Sequence, residues 1–285
     1  MIAQENFTLS NGVKIPKLGL GTWFIDDKDA AQAVIEAVKA GYRHIDSAQA
    51  YGNEQGVGDG VRSCGLKREE IFVTTKLAAE MKSYDAAVAS IDGSLQKLGL
   101  DHIDLMLIHS PQPWGDFGVE DRFSEGNREA WRALEDAYKA GKLRAIGISN
   151  FQKADIDNLL GACTVPPMVN QLLAHVTNMP NELIRYSQEK GMLVEAYSPM
   201  GHGELFKNTQ LLDMAAQYGV SLAQLCIRYT LQQGLLPLPK TGNPLHMKSN
   251  AALDFVISDE DMVVLNNMAP IKDYGDFSVF PVYRT

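Results

Sequence analysis

An acid and a phenol lie close together in the segment GYRHIDSAQAYGNE, residues 41–54. The run from Tyr42 to Asp46 is typical of a short buried strand that ends in a carboxylate, and Tyr51 follows on the next turn. A phenol ionises near pH ~10, so a lone tyrosine is a poor acid at neutral pH. A neighbouring cation stabilises the phenolate and makes the phenol a usable proton donor. The segment therefore calls for a lysine or arginine that Asp46 would anchor, although a strand-capping Asp46 and a surface Tyr51 fit it equally well on its own.

Strand-like and helix-like segments alternate along the chain. The run IDLMLIH, residues 103–109, is apolar almost throughout, as expected for a strand buried on both sides. Residues 84–98 instead place Val88, Ile91 and Leu95 on one face of a helix. The strand-like runs are centred near residues 20, 44, 73, 106, 146, 170, 195 and 238.

This alternation predicts an α/β fold, a (β/α)8 TIM barrel, as a single domain over residues 1–285. An N-terminal β-hairpin over residues 7–17 is expected before the barrel, because Asn11-Gly12 favours a tight turn. A doubly wound parallel sheet is the alternative, and such a sheet usually carries a G-x-G-x-x-G turn after its first strand. The first strand here carries GLGTW, residues 19–23, and no such fingerprint opens a helix.

Chemistry in a barrel sits at the C-terminal ends of the strands, and polar residues end most of the predicted strands. The third strand ends in Lys76, the cation that Tyr51 requires, beside the strand that ends in Asp46. Lys76 would lower the pKa of Tyr51, and His109 could direct a hydrogen bond at the same substrate oxygen. Each residue alone is more often structural, but the four together predict a catalytic group. The remaining strand ends carry Ser149, Asn150, Gln171, Tyr197, Ser198, Lys240 and Thr241.

Composition excludes several classes of partner. The net charge of −9 disfavours nucleic acid, which requires a basic face. No apolar run approaches the ~18 residues that span a membrane, and the N-terminal segment lacks the pattern of a signal peptide. The three cysteines, Cys64, Cys163 and Cys226, are widely spaced, which argues against disulfides and a zinc site and fits a reducing cytoplasm. We also expect a monomer.

Together these motifs resemble the aldo-keto reductase family over nearly the whole chain, including bacterial members of the diketogluconate reductase type. The resemblance implies a TIM barrel that binds an extended nicotinamide dinucleotide without a Rossmann fold and reduces aldehydes or ketones to alcohols. It places Asp46, Tyr51, Lys76 and His109 on the family's catalytic tetrad, with Tyr51 as proton donor and no metal. The matching segments are GLGTW, GYRHIDSAQAYGNE, VTTKL, IDLMLIHSP, GKLRAIGISNF, VNQ, EAYSPMG, and LPKTGNP followed by Asn250.

The resemblance also implies how the cofactor is held. Ser149, Asn150 and Gln171 fall on the positions that hold the nicotinamide carboxamide, which side-chain amides match as donors and acceptors. Tyr197 falls on the aromatic residue that stacks on the nicotinamide ring. The adenosine end and its 2′-phosphate fall to Lys240, Thr241 and Asn250, and further cofactor contacts are expected at Gly21, Thr22, Ser198 and His246.

Two segments depart from the family's pattern. Ser110 follows His109 where the family often has an aromatic residue, which leaves the shape of the substrate pocket open. His246 stands where an arginine usually meets the 2′-phosphate, and Ser249 where a glutamate often precedes the asparagine. Because histidine carries less positive charge than arginine near neutral pH, we expect NADPH as the cofactor and NADH as a usable second one.

A small-molecule carbonyl substrate would meet an apolar wall from Trp23 and Trp114. The C-terminal tail matches in place the family's variable loop that closes over the pocket, and its aromatic residues could equally pack on the outside of the barrel. Those residues are Tyr274, Phe277, Phe280 and Tyr283.

Two other classes of function stay open. A metal-dependent hydrolase could use His44, Asp46 and His109, since the first two share one face of a strand, but Lys76 would place a cation beside the metal. A non-catalytic cofactor-binding or structural protein is the second class. The intact set of four catalytic residues argues against it.

Overall fold

The structure is a computed structural model that describes residues 2–284. An antiparallel hairpin comes first: β1 (Asn6–Thr8) pairs with β2 (Lys14–Pro16). Gly12 in the connecting turn has a φ of +86°, which glycine adopts without the steric cost of a side chain. The predicted N-terminal hairpin is confirmed.

Eight parallel strands follow and form a barrel. Each strand pairs with its neighbours in chain order. The first and last are joined by two backbone hydrogen bonds, from Gly19 to Pro237 at 3.2 Å and from Gly21 to Pro239 at 3.0 Å. The barrel prediction is confirmed and the doubly wound alternative is wrong. The strands are β3 (Leu20–Gly21), β4 (His44–Asp46), β5 (Phe72–Leu77), β6 (Leu105–Ile108), β7 (Ile146–Ser149), β8 (Val169–Leu173), β9 (Leu193–Tyr197) and β10 (Leu236–Leu238).

Helices connect the strands and cover the outside of the barrel. The helix predicted over residues 84–98 has those bounds, because Ser83 accepts a hydrogen bond at its start and Gly99 adopts the left-handed conformation at its end. The helices are α1 (Asp27–Lys39), α2 (Glu54–Ser63), α3 (Tyr84–Leu98), α4 (Ser124–Lys139), α5 (Lys153–Leu160), α6 (Asn181–Glu189), α7 (Thr209–Gln217), α8 (Leu222–Gln232), α9 (Pro244–Ala251) and α10 (Asp259–Asn266).

The strands are buried on both faces. All four residues of β6 are fully buried, as its continuous apolar run predicts. Strand packing is close enough at Gly147 that a Cβ there would lie 2.7 Å from the backbone oxygen of Val169. Glycine at this position of β7 therefore allows the strands to keep their spacing.

No helix within residues 2–284 is both long and apolar enough to cross a membrane. The assignment of residues 1–285 to a single domain stays a prediction, and its two end residues, Met1 and Thr285, lie outside the described part of the chain.

Candidate active site

Side chains at the C-terminal ends of the strands line one large cavity of about 780 Å³. Every residue predicted to contact cofactor or substrate lines this cavity, and so do the predicted catalytic residues Asp46, Tyr51 and His109. Lys76 does not line it, because its side chain is fully buried on β5. The barrel thus gathers residues from distant parts of the chain at one rim.

Lys76 connects the acid and the phenol. Its Nζ donates to Asp46 Oδ1 at 2.6 Å and to the backbone oxygen of Ser47 at 2.9 Å. The third contact of Nζ is with Tyr51 Oη at 3.3 Å. These contacts use all three donors of the ammonium group. Tyr51 reaches it from a 3-10 turn, Gln49–Tyr51, that follows β4 directly.

The pKa values of this group follow from burial and charge. Burial raises the pKa of Tyr51 and Asp46 adds to the rise, while Lys76 lowers it. The effect of Lys76 has the predicted sign, but the net pKa is raised because burial outweighs it. Burial lowers the pKa of Lys76, and Asp46 and Tyr51 more than offset this, so its net pKa is also raised. At neutral pH the group is a protonated phenol beside a charged ammonium.

His109 follows β6 and faces Tyr51. The two rings meet edge to face with centroids 5.6 Å apart, and Trp114 packs against the imidazole in the same manner at 5.1 Å. Burial, followed by the charge of Lys76, lowers the pKa of His109 well below its usual value, so the ring is neutral. Its Nδ1 has no hydrogen-bond partner among residues 2–284. Trp114 therefore supplies the aromatic neighbour of His109 that the sequence lacks at Ser110.

Three polar side chains predicted to hold a carboxamide lie together beside Asp46. Asn150 donates to the backbone oxygen of His109 at 3.0 Å and to Ser149 Oγ at 3.1 Å. Gln171 donates from Nε2 to Asp46 Oδ2 at 2.9 Å. Asp46 thus accepts from Lys76 on one oxygen and from Gln171 on the other, which joins the predicted catalytic and cofactor residues into one network.

Tyr197 and Ser198 lie at the end of β9. Tyr197 lines the cavity and donates from its Oη to Asn150 Oδ1 at 2.7 Å. Ser198 also lines the cavity, but its hydroxyl is engaged by His202 Nε2 and Tyr283 Oη, each at 3.0 Å. The predicted cofactor contact at Ser198 is thus coupled to the C-terminal tail.

The C-terminal tail lines the cavity around Trp23. Phe280 meets the Trp23 ring at 5.0 Å and Phe277 meets it at 6.2 Å. Tyr283 also lines the cavity, whereas Tyr274 is buried below and hydrogen-bonds His175. Three of the four tail aromatics therefore form a wall of the cavity instead of packing on the outside of the barrel.

The part of the cavity wall that follows β10 has a different chemistry. Lys240 and Thr241 follow β10, and His246 lies exposed on the first turns of α9. Asn250, further along the same helix, is buried and lines the cavity. A cation and a helix N-terminus favour a bound anion. A cavity wall with amides, aromatic rings and a cation fits a nicotinamide dinucleotide that bears a phosphate.

Two residues of the site escaped the sequence analysis. Glu195 is fully buried on β9 and accepts from Gln171 Nε2 at 2.7 Å. An acid inside the otherwise apolar run MLVEAYS was the available signal for it. His202 contacts Tyr283 Oη at 2.6 Å and stacks on Phe277. It lies in an irregular loop, where the sequence gives no period from which to place it.

The profile of the Aldo/keto reductase family matches residues 17–269. The chain is 39% identical to a glyoxal reductase of Bacillus subtilis over 91% of each chain. It is 36% identical to an aldehyde reductase of Saccharomyces cerevisiae, over 95% of this chain and 96% of that one. A crystal structure of a Bombyx mori aldo-keto reductase in complex with NADP superposes with a TM-score of 0.85, at 33% identity over 98% of each chain.

The chain belongs to the aldo/keto reductase family. It is an oxidoreductase that reduces small carbonyl compounds with a nicotinamide cofactor, as the sequence predicts. The comparisons do not single out the diketogluconate reductase type, so that part of the resemblance stays a prediction.

The geometry does not support the metal-hydrolase alternative. Within residues 2–284 no three or more His, Cys, Asp or Glu side chains are grouped so that they could hold a metal ion. His44 does not line the cavity, and its Nε2 is hydrogen-bonded to Thr74 Oγ1 at 2.9 Å. The non-catalytic alternative is disfavoured by membership of a family of reductases and by the contacts that join Asp46, Lys76 and Tyr51.

Proposed function

We propose that Tyr51 donates a proton to the carbonyl oxygen of the substrate while Lys76 stabilises the phenolate that forms. One observation carries this proposal: the Lys76 ammonium contacts both Asp46 and Tyr51, at 2.6 and 3.3 Å. The raised pKa of Tyr51 keeps its proton in place at neutral pH, and the raised pKa of Lys76 keeps a cation beside it. The charge created on the phenol is thus met by an existing cation.

A reduced nicotinamide supplies the hydride when it is bound. Ser149, Asn150 and Gln171 would hold its carboxamide, and Tyr197 would lie against one face of its ring. Fixing one face sets the direction from which the hydride can leave. Neutral His109 would hydrogen-bond the same substrate oxygen as Tyr51, which orients the carbonyl between the two residues.

NADPH is the proposed cofactor, with NADH also accepted. Lys240 and Thr241, which line the cavity after β10, offer a cation and a hydroxyl to a 2′-phosphate. His246 offers less charge there than an arginine would, so the preference over NADH should be modest. The sites at Gly21, Thr22, Ser198 and Asn250 would contact the rest of the dinucleotide.

The substrate is proposed to be a small carbonyl compound held against Trp23 and Trp114. Both rings line the cavity beside Tyr51 and His109 respectively, and the tail aromatics complete an apolar enclosure. A monomeric state and a cytoplasmic location stay predictions.

The test of this proposal compares the parent enzyme with Tyr51→Phe in the reduction of a panel of carbonyl compounds. The rate is measured as the loss of NADPH absorbance. We expect kcat to fall by ~10²-fold or more, the usual scale for the loss of a general acid. The dissociation constant of NADPH should stay within about twofold, because the phenol is assigned to the substrate and not to the cofactor.

Tyr42→Phe is a matched control, since Tyr42 is fully buried, does not line the cavity, and has a hydroxyl without a hydrogen-bond partner in the described chain, residues 2–284. It should retain the parental kcat. A Tyr51→Phe enzyme that turns over like the parent would remove Tyr51 from the role of proton donor.

A further inference from the structure

Glu195 is a buried acid that the proposed mechanism does not use. It lies on β9 directly opposite Gln171 on β8, and it is completely inaccessible to solvent. Its Oε2 accepts from Gln171 Nε2 at 2.7 Å, and its Oε1 has no hydrogen-bond partner among the residues from 2 to 284. A buried carboxyl group with one short contact to a side chain of the cofactor site needs a reason to be there.

Gln171 is held by two carboxyl groups at once. Its Nε2 donates to Asp46 Oδ2 at 2.9 Å and to Glu195 Oε2 at 2.7 Å. An amide nitrogen has two N–H donors, so both are used, and the amide cannot turn over without pointing its oxygen at the Asp46 carboxylate. The amide oxygen is therefore the atom that Gln171 has left to offer a ligand in the cavity that it lines.

We propose that Glu195 is a positioning residue that fixes the Gln171 amide with its oxygen available to the carboxamide N–H₂ of the nicotinamide. Asp46 alone would occupy one N–H and leave the second one buried without an acceptor, which favours a different rotamer of Gln171. Glu195 supplies that second acceptor. This role rests on the proposed cofactor site, because it acts through the contact assigned to Gln171.

The protonation state of Glu195 is matched to this role. Burial, followed by the charge of Asp46, raises the pKa of Glu195 to about 8. A neutral carboxyl group at pH 7 still accepts a hydrogen bond but adds no second negative charge beside Asp46. The charged groups that act on it across the barrel are Asp46 on β4 and Lys76 on β5, while the facing residues are Gln171 on β8 and the apolar Leu236 on β10.

Ionisation of Glu195 should therefore slow the reaction. A negative charge at this position raises the cost of forming a phenolate on Tyr51, because both charges lie in the same buried network. The sign follows from the raised pKa: Glu195 is neutral below about pH 8 and charged above it. We expect kcat of the parent enzyme to decline as pH rises through this range.

Two variants of the same size separate positioning from packing. Glu195→Gln keeps an acceptor oxygen for Gln171 and cannot ionise, whereas Glu195→Leu removes the acceptor. We expect Glu195→Leu to weaken NADPH binding about tenfold or more, the scale of one lost buried hydrogen bond. Glu195→Gln should restore binding towards the parental value and abolish the decline of kcat above about pH 8.

Binding is measured by the quenching of protein fluorescence, in the Tyr51→Phe background as well as in the parent. Glu195→Leu must weaken NADPH binding in both backgrounds. The result therefore tests the role of Glu195 independently of the role of Tyr51. The matched control is Glu135→Gln on α4, a buried acid outside the cavity that accepts from the backbone N–H groups of Thr164 and Val165. It should leave the dissociation constant of NADPH unchanged.

Either of two results overturns the proposal. One is a folded Glu195→Leu variant that binds NADPH as tightly as the parent. The other is a Glu195→Gln variant whose kcat declines above pH 8 as the parental value does. If Glu195→Leu does not fold, the pH profile of Glu195→Gln decides alone.

Discussion

Lys76 is a cation without access to water, and its three contacts explain how the barrel tolerates it. A buried charge is costly unless it is paired and hydrogen-bonded. Asp46 supplies the opposite charge, and Ser47 and Tyr51 supply the remaining acceptors. Tyr51 thus helps to stabilise the buried Lys76 cation even when no substrate is bound. The same Lys76–Tyr51 contact is the one that the proposed proton transfer uses.

The proposed role of His246 is to set how strongly a 2′-phosphate is preferred. We expect His246→Arg to widen the ratio of the NADH and NADPH dissociation constants by about 1–3 kcal/mol, because arginine adds a charge-assisted hydrogen bond to the phosphate. The measurement is the dissociation constant of each cofactor for the parent and the variant.

Lys248→Arg is the matched control on the same helix, since Lys248 is exposed and does not line the cavity. It should leave the ratio unchanged. An unchanged ratio in His246→Arg would mean that this side chain does not reach the 2′ position.

Sequence reasoning predicted the four proposed catalytic residues because each of them ends a strand, or follows one closely, and strand ends can be recognised from apolar runs. It missed Glu195, because the role of an acid inside a strand depends on which residue lies opposite it on the neighbouring strand. That neighbour, Gln171, is set by the register of β8 and β9. The net direction of the Tyr51 pKa was also beyond the sequence, since it is decided by burial and not by the nearest charge.

At the level of elements, the C-terminal tail and the loop after β9 are joined by hydrogen bonds and ring stacking. Ser198 and His202 both have left-handed backbone conformations, with φ of 53°, which are unfavourable for residues other than glycine. Both side chains hydrogen-bond the hydroxyl of Tyr283, and Phe277 stacks on His202 with centroids 3.9 Å apart. The tail contacts therefore offset the cost of an unfavourable loop conformation at the edge of the cavity.

Tyr283→Phe removes the hydroxyl that joins these two segments and keeps the ring that lines the cavity. We expect KM for the carbonyl substrate to rise by about three- to tenfold, the scale of one hydrogen bond, with a smaller change in kcat. The effect follows from a looser wall and not from altered chemistry. Steady-state kinetics on one good substrate provide the measurement.

Tyr218→Phe is the control, because the Tyr218 hydroxyl donates to Asp261 away from the cavity. Its KM should match that of the parent. Equal KM values for Tyr283→Phe and the parent would show that the contact does not shape the substrate site.

The helices were predictable because their ends carry local signals. Ser221 and Gln224 form a capping box at the start of α8. The helix over residues 84–98 has its predicted bounds because Ser83 caps its start and Gly99 ends it. The tail carries no such signal. Its short 3-10 turns, Gly275–Val279 and Pro281–Tyr283, are placed by contacts with Trp23 and His202, which are distant in the sequence.

For the whole molecule, buried histidines should make folding sensitive to acid. Burial is the first cause that lowers the pKa of His44 to about 3 and the pKa values of His175 and His202 to about 4, and it lowers that of His109 as well. In the unfolded chain these histidines bind protons below about pH 6.5, whereas in the native state they stay unprotonated down to their lowered pKa values. The contribution of these histidines to the free energy of unfolding is therefore fully present above about pH 6.5 and falls as pH drops towards 4.

Urea denaturation at pH 7 and pH 5 measures this effect, and we expect a lower midpoint at pH 5. Glu195 opposes the trend, because its raised pKa makes folding more favourable as pH falls from about 8, but it is one group against four. His175→Gln should show a shallower dependence on pH than the parent, whatever its stability at pH 7. Equal midpoints for the parent at the two pH values would contradict this account.

The barrel itself was predictable because the alternation of strands and helices leaves few other topologies for this chain. The residues that close it between β3 and β10 were not, since β3 is only two residues long and one partner of each joining bond lies beside its strand. The cavity at the strand ends is shaped in part by that closure, which brings Lys240 next to Gly21.

The most direct measurement of the central claim is the fate of the hydride and the rate at which it moves. NADPH carrying deuterium at the transferable position is incubated with the enzyme and an aldehyde, and the product is examined by mass spectrometry. We expect one deuterium on the carbon that bore the carbonyl oxygen, formed ~10²-fold or more slowly by Tyr51→Phe than by the parent. Product without deuterium, or equal rates for the two enzymes, would contradict a hydride-transferring reductase in which Tyr51 supplies the proton.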